Sequence, residues 1–432
     1  MRFDELGLCE PVLRAVAEEG YSIPTPIQAA AIPLVLQGRD VLGTAQTGTG
    51  KTAAFALPVL HQLLTTPPQQ SARRRTRVLI LTPTRELAIQ IGESFSTYGK
   101  YAEMKIAVLY GGVNQNPQVK LLIHGVDIIV ATPGRLLDLL DQGWADVKRV
   151  ETLVLDEADN MLDMGFIQDI QKIISKTPQY RQTLLFSATM PSEIRRLASD
   201  ILTDPIRVSV APESAAADTV DQSVFFVENE DKPAALVKYL RTTPTERTLV
   251  FTRTKQGADR VAQYLTREHI RAGSLHSDKM QSVRLRIVDS FKSGDLPLVV
   301  ATDIASRGLD IDNITHVVNF DVPHVPENYV HRIGRTGRAG ATGTAVSFCD
   351  PQERGYLRQI QRLIRTEIRV ADLPGFTRPV ASSPAPVRPS KARPKAELVT
   401  ATHELVAASQ PRATMGSSGG RSRKVKRSPF SR

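Results

Sequence analysis

The chain has 432 residues, 41% of them apolar and 5% aromatic, with two cysteines and a formal charge of +10. That length suits two or three domains with ordinary cores. No apolar run of membrane-spanning length occurs, and the opening residues Met1-Arg2-Phe3-Asp4 carry no apolar signal region, so neither a membrane span nor secretion is expected. Cys9 and Cys349 stand alone without metal-ligand spacing, which points to a reduced, cytoplasmic protein.

In chain order, residues 6–20 read as a short amphipathic helix. Tyr21-Ser22-Ile23-Pro24-Thr25-Pro26-Ile27-Gln28 is a proline-stiffened extended segment, and a helix is expected over 28–37. The next stretch organises the chain. Val41-Leu42-Gly43-Thr44 reads as a strand, Ala45-Gln46-Thr47-Gly48-Thr49-Gly50-Lys51-Thr52 as a glycine-rich turn, and a helix over 52–64 follows at once. Strand, loop and helix in that order form the setting of a phosphate-binding loop: glycines let several N–H groups face one anion, and the helix adds the positive end of its dipole. Lys51 suits the β- and γ-phosphates of ATP, and the Thr52 hydroxyl suits Mg²⁺. Ala45 stands where the strict motif has its first glycine.

Strand-like runs then recur at 78–81, 106–109, 128–131, 152–155, 183–186 and 207–210. After an Ala/Pro/Glu/Ser linker at 211–219 they recur at 224–227, 248–251, 298–301, 316–319 and 344–348. Continuous apolar, often β-branched runs separated by helices predict buried parallel strands, hence two doubly wound α/β domains. The halves echo each other: Leu79-Ile80-Leu81-Thr82 resembles Leu249-Val250-Phe251-Thr252, and Ile129-Val130-Ala131-Thr132 resembles Val299-Val300-Ala301-Thr302, both at one offset, so the fold reads as duplicated. Boundaries at 1–210, 211–219, 220–370 and 371–432 follow. The last segment holds twelve bases against three acids, nine of the ten net charges, and is expected to be a disordered polyanion-binding tail. The loop at 65–76, with Arg73, Arg74 and Arg75, reads equally as an RNA contact or as a solvated surface. Trp144 is expected to pack. Leu405-Val406-Ala407-Ala408 reads as a partner-binding helix or as incidental.

In open α/β sheets ligands bind beyond the carboxyl ends of strands, and the unusual polar clusters sit there. Asp156-Glu157 closes an apolar strand; one carboxylate suits the water shell of Mg²⁺ and the other the attacking water. His331-Arg332-Ile333-Gly334-Arg335-Thr336-Gly337-Arg338 places three arginines among glycines, a pattern for guanidinium groups reaching a γ-phosphate from a second domain.

Taken together, residues 45–52, 83–87, 132–135, 156–159, 187–189, 301–310 and 331–338 resemble the motif series of DEAD-box ATP-dependent RNA helicases, with Asp156-Glu157-Ala158-Asp159 as the namesake. The resemblance runs from about residue 3 to 370 and implies tandem RecA-like domains. His276-Ser277-Asp278-Lys279-Met280-Gln281 with Arg284 is similar to the bacterial RhlE-like group, departing from it at Ser277, Asp278 and Met280. The resemblance further implies adenine reading by Gln28 and Tyr21, with Phe3 beside them. It gives the ribose to Asp310, the γ-phosphate to Arg335 and Arg338 with His331 in the same motif, and coupling of hydrolysis to RNA to Ser187 and Thr189. It places RNA-backbone contacts at Arg85, Gly112, Thr132, Arg135, Arg253, Thr302 and Asp303, which favours RNA over DNA through 2′-OH contacts. The activity implied is local unwinding of short RNA duplexes driven by ATP and Mg²⁺. Settings in ribosome assembly or RNA decay go with it, through partners on the tail. An ATP-gated RNA clamp, an RNA-annealing chaperone and a DNA helicase stay open as alternatives.

Overall fold

The computed structural model describes residues 1–45, 48–66, 74–210, 220–306, 311, 314–337 and 342–373. Two seven-stranded parallel sheets organise them. The first holds β1 (Val41–Thr44), β2 (Val78–Leu81), β3 (Ile106–Leu109), β4 (Ile128–Ala131), β5 (Thr152–Leu155), β6 (Gln182–Ser187) and β7 (Ile206–Ser209), in the order β3-β4-β2-β5-β6-β1-β7. The second holds β8 (Val220–Phe226), β9 (Thr248–Phe251), β10 (Ala272–Leu275), β11 (Leu298–Ala301), β12 (His316–Asn319), β13 (Gly343–Cys349) and β14 (Arg369–Val370), in the order β10-β11-β9-β12-β13-β8-β14. The two orders are the same, strand for strand, as the sequence echo predicts.

Each sheet is covered on both faces, and β2 shows why its sequence is apolar throughout. Successive side chains point to opposite faces. Val78 and Ile80 therefore enter one core with Phe55, Leu60 and Phe95, while Leu79 and Leu81 enter the other with Leu136, Leu153 and Ile170. In the second sheet Val250 and Val300 pack under the helices Lys232–Thr242 and Lys255–Arg267, whereas Leu249, Phe251 and Val299 pack under Gln281–Ser293.

Two strands went unpredicted. β10, Ala272-Gly273-Ser274-Leu275, has only one large apolar side chain because it is a half-exposed sheet edge. β14 is a two-residue edge pairing with β8. The helix expected over 6–20 is broken: a 3₁₀ turn, Phe3–Leu6, ends at Gly7 in the left-handed region (φ 79°), and the helix Glu10–Glu18 starts afresh. The chain stays on the second sheet beyond 370, since Ala371 N donates to Val224 O at 2.9 Å and Leu373 is buried. The tail from 374, with Leu405, and the linker 211–219 lie outside the described residues, and no described helix is long and apolar enough to cross a membrane.

Candidate active site

The carboxyl ends of β1, β5 and β6 converge on one small region. After β1 the loop turns through Gly48 and Gly50, both at positive φ (83° and 86°), into the helix Lys51–Thr65. Gly50 is required there: a Cβ would lie 2.4 Å from Gln28 Nε2. That amide donates to Gly50 O at 3.1 Å, and Gln28 Oε1 accepts from Thr25 N at 2.9 Å, so Gln28 both caps its own helix and braces the loop. Lys51 is buried and donates to Ala45 O at 3.0 Å. Thr52 follows it on the first turn of the helix. Gln46 and Thr47 lie outside the described residues.

Asp156, just beyond β5, is buried, and desolvation pushes its carboxyl up to about 6; the charge of Lys51 works against the rise and that of Glu157 with it. Its Oδ1 accepts from Glu157 N at 3.0 Å. Glu157 holds a left-handed backbone (φ 54°), uncommon for a side-chain-bearing residue. Asn160 Nδ2 fixes its carboxylate by donating to Oε2 at 2.8 Å. Asp159 accepts from Thr189 N at 2.8 Å and from Thr189 Oγ1 at 2.9 Å. Ser187 Oγ donates to Thr189 O at 2.7 Å and accepts from Asp159 N at 3.2 Å, while Ser187 O accepts from Ala45 N at 3.1 Å. Ser187 thus ties the phosphate loop to the acidic cluster.

No group of three His, Cys, Asp or Glu side chains capable of holding a metal occurs among the described residues. A buried carboxylate whose charge is under-compensated nevertheless suits Mg²⁺, which takes one or two protein oxygens and draws the rest from phosphates and water. Asp156 with the Thr52 hydroxyl fits that pattern.

The other expected nucleotide contacts are distributed differently. Phe3 is buried at the margin of the first sheet's core. Tyr21 is half exposed and hydrogen-bonds Tyr98, whose own hydroxyl burial pushes well above its usual range. Arg335 is buried just past the helix Pro326–Ile333, and His331 is half-buried on that helix's last turn. Arg338 and Asp310 lie outside the described residues.

Of the expected RNA residues, four gather at the ends of β2, β3 and β4. The Arg85 guanidinium presses on Gly112 (φ 76°) so closely that a Cβ there would overlap it. Arg135 donates to Gln118 Oε1 at 3.2 Å and to Val113 O at 3.1 Å, and Thr132 precedes its helix as N-cap. Burial first, then the charge of Arg284, lower the Arg85 pKa; Glu86 opposes the shift and Arg135 adds to it. Thr302 follows β11, with its N donating to Leu275 O at 3.3 Å. The Asp303 carboxylate grips Arg332, with contacts of 2.6 and 2.8 Å, and Arg332 also reaches Asn319 Oδ1 at 3.1 Å and Asp321 O at 2.7 Å. That pair ties Asp303 to the helix Pro326–Ile333. Arg253 donates to Glu353 Oε1 at 2.6 Å. In the arginine loop, Arg74 pairs with Asp127 at 2.6 Å and is structural, Arg73 is outside the described residues, and Trp144 is exposed instead of packed.

Sequence reasoning missed several participants. Glu86 accepts from Gln281 Nε2 at 2.9 Å and from Arg284 Nε at 2.9 Å, and Arg85 Nη1 donates to Gln281 Oε1 at 3.4 Å, so polar side chains of the two sheets' helices meet. The signal was present: Gln281 and Arg284 stand three apart, on one helical face. Ser277, Asp278 and Met280 lie in the exposed turn before that helix, with Asp278 paired to Lys255 at 2.6 Å, where substitution disturbs little.

The DEAD/DEAH box helicase family model matches residues 25–197, and the helicase conserved C-terminal domain model matches 231–340. The ATP-dependent RNA helicase CshA of Limosilactobacillus reuteri is 44% identical over 368 residues, which is 85% of this chain and 73% of that protein. DeaD of Mycobacterium tuberculosis is 44% identical over 373 residues, 86% of this chain and 65% of that one. Among solved structures, S. cerevisiae Dbp5 bound to RNA and ADP BeF3 superposes with a TM-score of 0.76 at 31% identity, over 85% of this chain and 94% of that one. A Dbp5 variant bound to a Gle1 variant and IP6 gives 0.68 at 30% identity over the same shares.

Proposed function

Since the chain belongs to the DEAD-box ATP-dependent RNA helicases, and is thereby an RNA-dependent ATPase, we propose that it works by closing its two sheets on ATP and RNA together, bending one strand and so opening a short duplex locally. Lys51 and the N–H groups of residues 48–51 take the β- and γ-phosphates; Asp156 and Thr52 would hold Mg²⁺, which would supply charge neutralisation when bound. Glu157, held by Asn160, orients and deprotonates the attacking water. Arg335 and Arg338 meet the γ-phosphate from the second sheet, Gln28 and Tyr21 read adenine, and Asp310 takes the ribose. Arg85, Gly112, Thr132, Arg135, Arg253 and Thr302 hold the sugar–phosphate backbone, and the basic tail adds non-specific RNA affinity. Within the family, His276, Lys279, Gln281 and Arg284 favour an RhlE-like placement. Cytoplasmic work in ribosome assembly or RNA decay fits this reading.

The observation that carries it is the linkage through Ser187, which joins the phosphate loop at Ala45 to Asp159 and Thr189. The test is strand displacement of a short labelled duplex beside RNA-stimulated ATPase. Glu157→Gln should keep ATP and RNA binding while turnover falls about 10²–10⁴-fold. Wild-type ATPase without strand displacement would instead identify an ATP-gated clamp.

A further inference from the structure

Between the start of the helix Lys232–Thr242 and the helix Lys255–Arg267 of the second sheet opens a cleft of about 660 Å³. It begins at the strand ends, where Arg253 follows β9 and Phe320 and Asp321 follow β12, and runs along the helix to Arg267. Its cations are spaced by sevens: Arg253, Arg260 and Arg267. A seven-residue spacing returns to one helical face, and it separates Arg260 from Arg267 by roughly 10 Å along the axis. That is about three steps of a stacked nucleic-acid strand. Between them lie Gln263, an exposed donor and acceptor, and Tyr264, a half-buried ring.

Arg260 and Arg267 are exposed and form no ion pair among the described residues. The acids in the cleft do not cancel them. Asp321 is committed to Arg253 N at 2.7 Å and to Lys232 at 3.8 Å, which leaves Glu230 alone on the rim.

We propose that this cleft is an extended RNA site: a single strand leaving the central path at Arg253 continues along the helix, with phosphates on Arg260 and Arg267 and a base against Tyr264. Continuity with Arg253 favours RNA over an acidic protein segment, as does the pairing of two guanidinium groups on one helical face with an aromatic ring. The inference rests on the RNA reading above.

The experiment uses the full chain, with labelled single-stranded RNAs of roughly eight and twenty nucleotides, and a non-hydrolysable ATP analogue, across a salt series. Arg260→Gln with Arg267→Gln should weaken the long RNA about five- to tenfold at low salt. The slope of log affinity against log salt should fall by about 1.4, two phosphate contacts on a single strand. Affinity for the short RNA, and the ATPase it stimulates, should stay within about twofold. An unchanged slope with the long RNA, or equal weakening of both RNAs, overturns the proposal. So does loss of binding to a poly-glutamate peptide with RNA binding untouched, which would assign the cleft to a protein partner. A wild-type protein whose ATPase ignores RNA would sink the reading of the main site instead, and the length dependence of binding is measured separately from it.

Discussion

The two sheets share one topology and begin their first helix in the same way, yet they treat that position oppositely. After β1 the helix opens with Lys51; after β8 it opens with Lys232. Both ammonium groups are buried. Lys51 has a backbone carbonyl for a partner and stands near one carboxylate, Asp156, that burial holds partly toward its neutral form. Lys232 is fully enclosed and meets Glu353 at 2.6 Å, Asp350 at 3.5 Å and Asp321 at 3.8 Å. The second sheet surrounds its lysine with three acids where the first sets a single carboxylate nearby. On the function proposed above, a duplicated fold has divided its labour: one copy binds the anion and the other presents arginines to it.

The comparison breaks most visibly at Lys232. Lys232→Met would leave Glu353 and Asp350 buried, with Asp321 half-buried, around a missing charge, and the loss of one partner of such a cluster costs about 3–5 kcal/mol. Urea denaturation should show that loss, while the fraction that remains folded keeps its ATP affinity. Lys51→Ala should do the reverse. Turnover should fall about 10²–10³-fold with the loss of a phosphate donor, and the unfolding midpoint should barely move. Equal effects of the two changes on stability would mean that the two lysines play one role.

Asp156 sharpens the contrast through pH. Its folded-state value, about 6, lies above the ordinary 3.8. Between those values the folded chain holds a proton that the unfolded chain has released. The group therefore contributes stability that is fully present below about 3.8 and lost as pH rises through about 6. At about 1.4 kcal/mol per unit the effect is capped near 3 kcal/mol. Asp156→Asn should flatten this part of the stability–pH curve for the nucleotide-free protein, and in the wild type the melting-temperature gain from MgATP should be larger at pH 7 than at pH 5. A gain independent of pH would remove Asp156 from the cation site.

Much of this was legible in the sequence because the buried strands are short apolar runs and the chemistry sits at their ends. β2 and β9, and β4 and β11, were found together with their shared offset. What escaped was of two kinds. β10 is an edge strand of small residues, and no periodicity marks a segment that buries little. The polar partners, Glu86 with Arg284 and Lys232 with Glu353, join residues more than a hundred positions apart, and only the fold brings them together. The burial of Phe3 and the pairing of Asp303 with Arg332 are likewise contacts that no local pattern announces.

The smallest effect concerns how the two sheets speak to each other. Glu86 and Arg284 are both buried, and their contact at 2.9 Å lies beside Arg85. If this pair helps to hold the closed arrangement, it should couple RNA and ATP more than it strengthens either alone. Coupling energies of this sort amount to about 1–3 kcal/mol and are reciprocal. Glu86→Gln should therefore reduce the factor by which RNA tightens ATP about five- to tenfold, and reduce by the same factor the tightening of RNA by ATP. A double-mutant cycle with Arg284→Gln isolates the contact from any direct change at Arg85: the two single changes should fail to add. Additive losses, or a drop in RNA affinity without nucleotide, would place Glu86 in the binding of RNA itself and leave the coupling to Ser187 and Thr189.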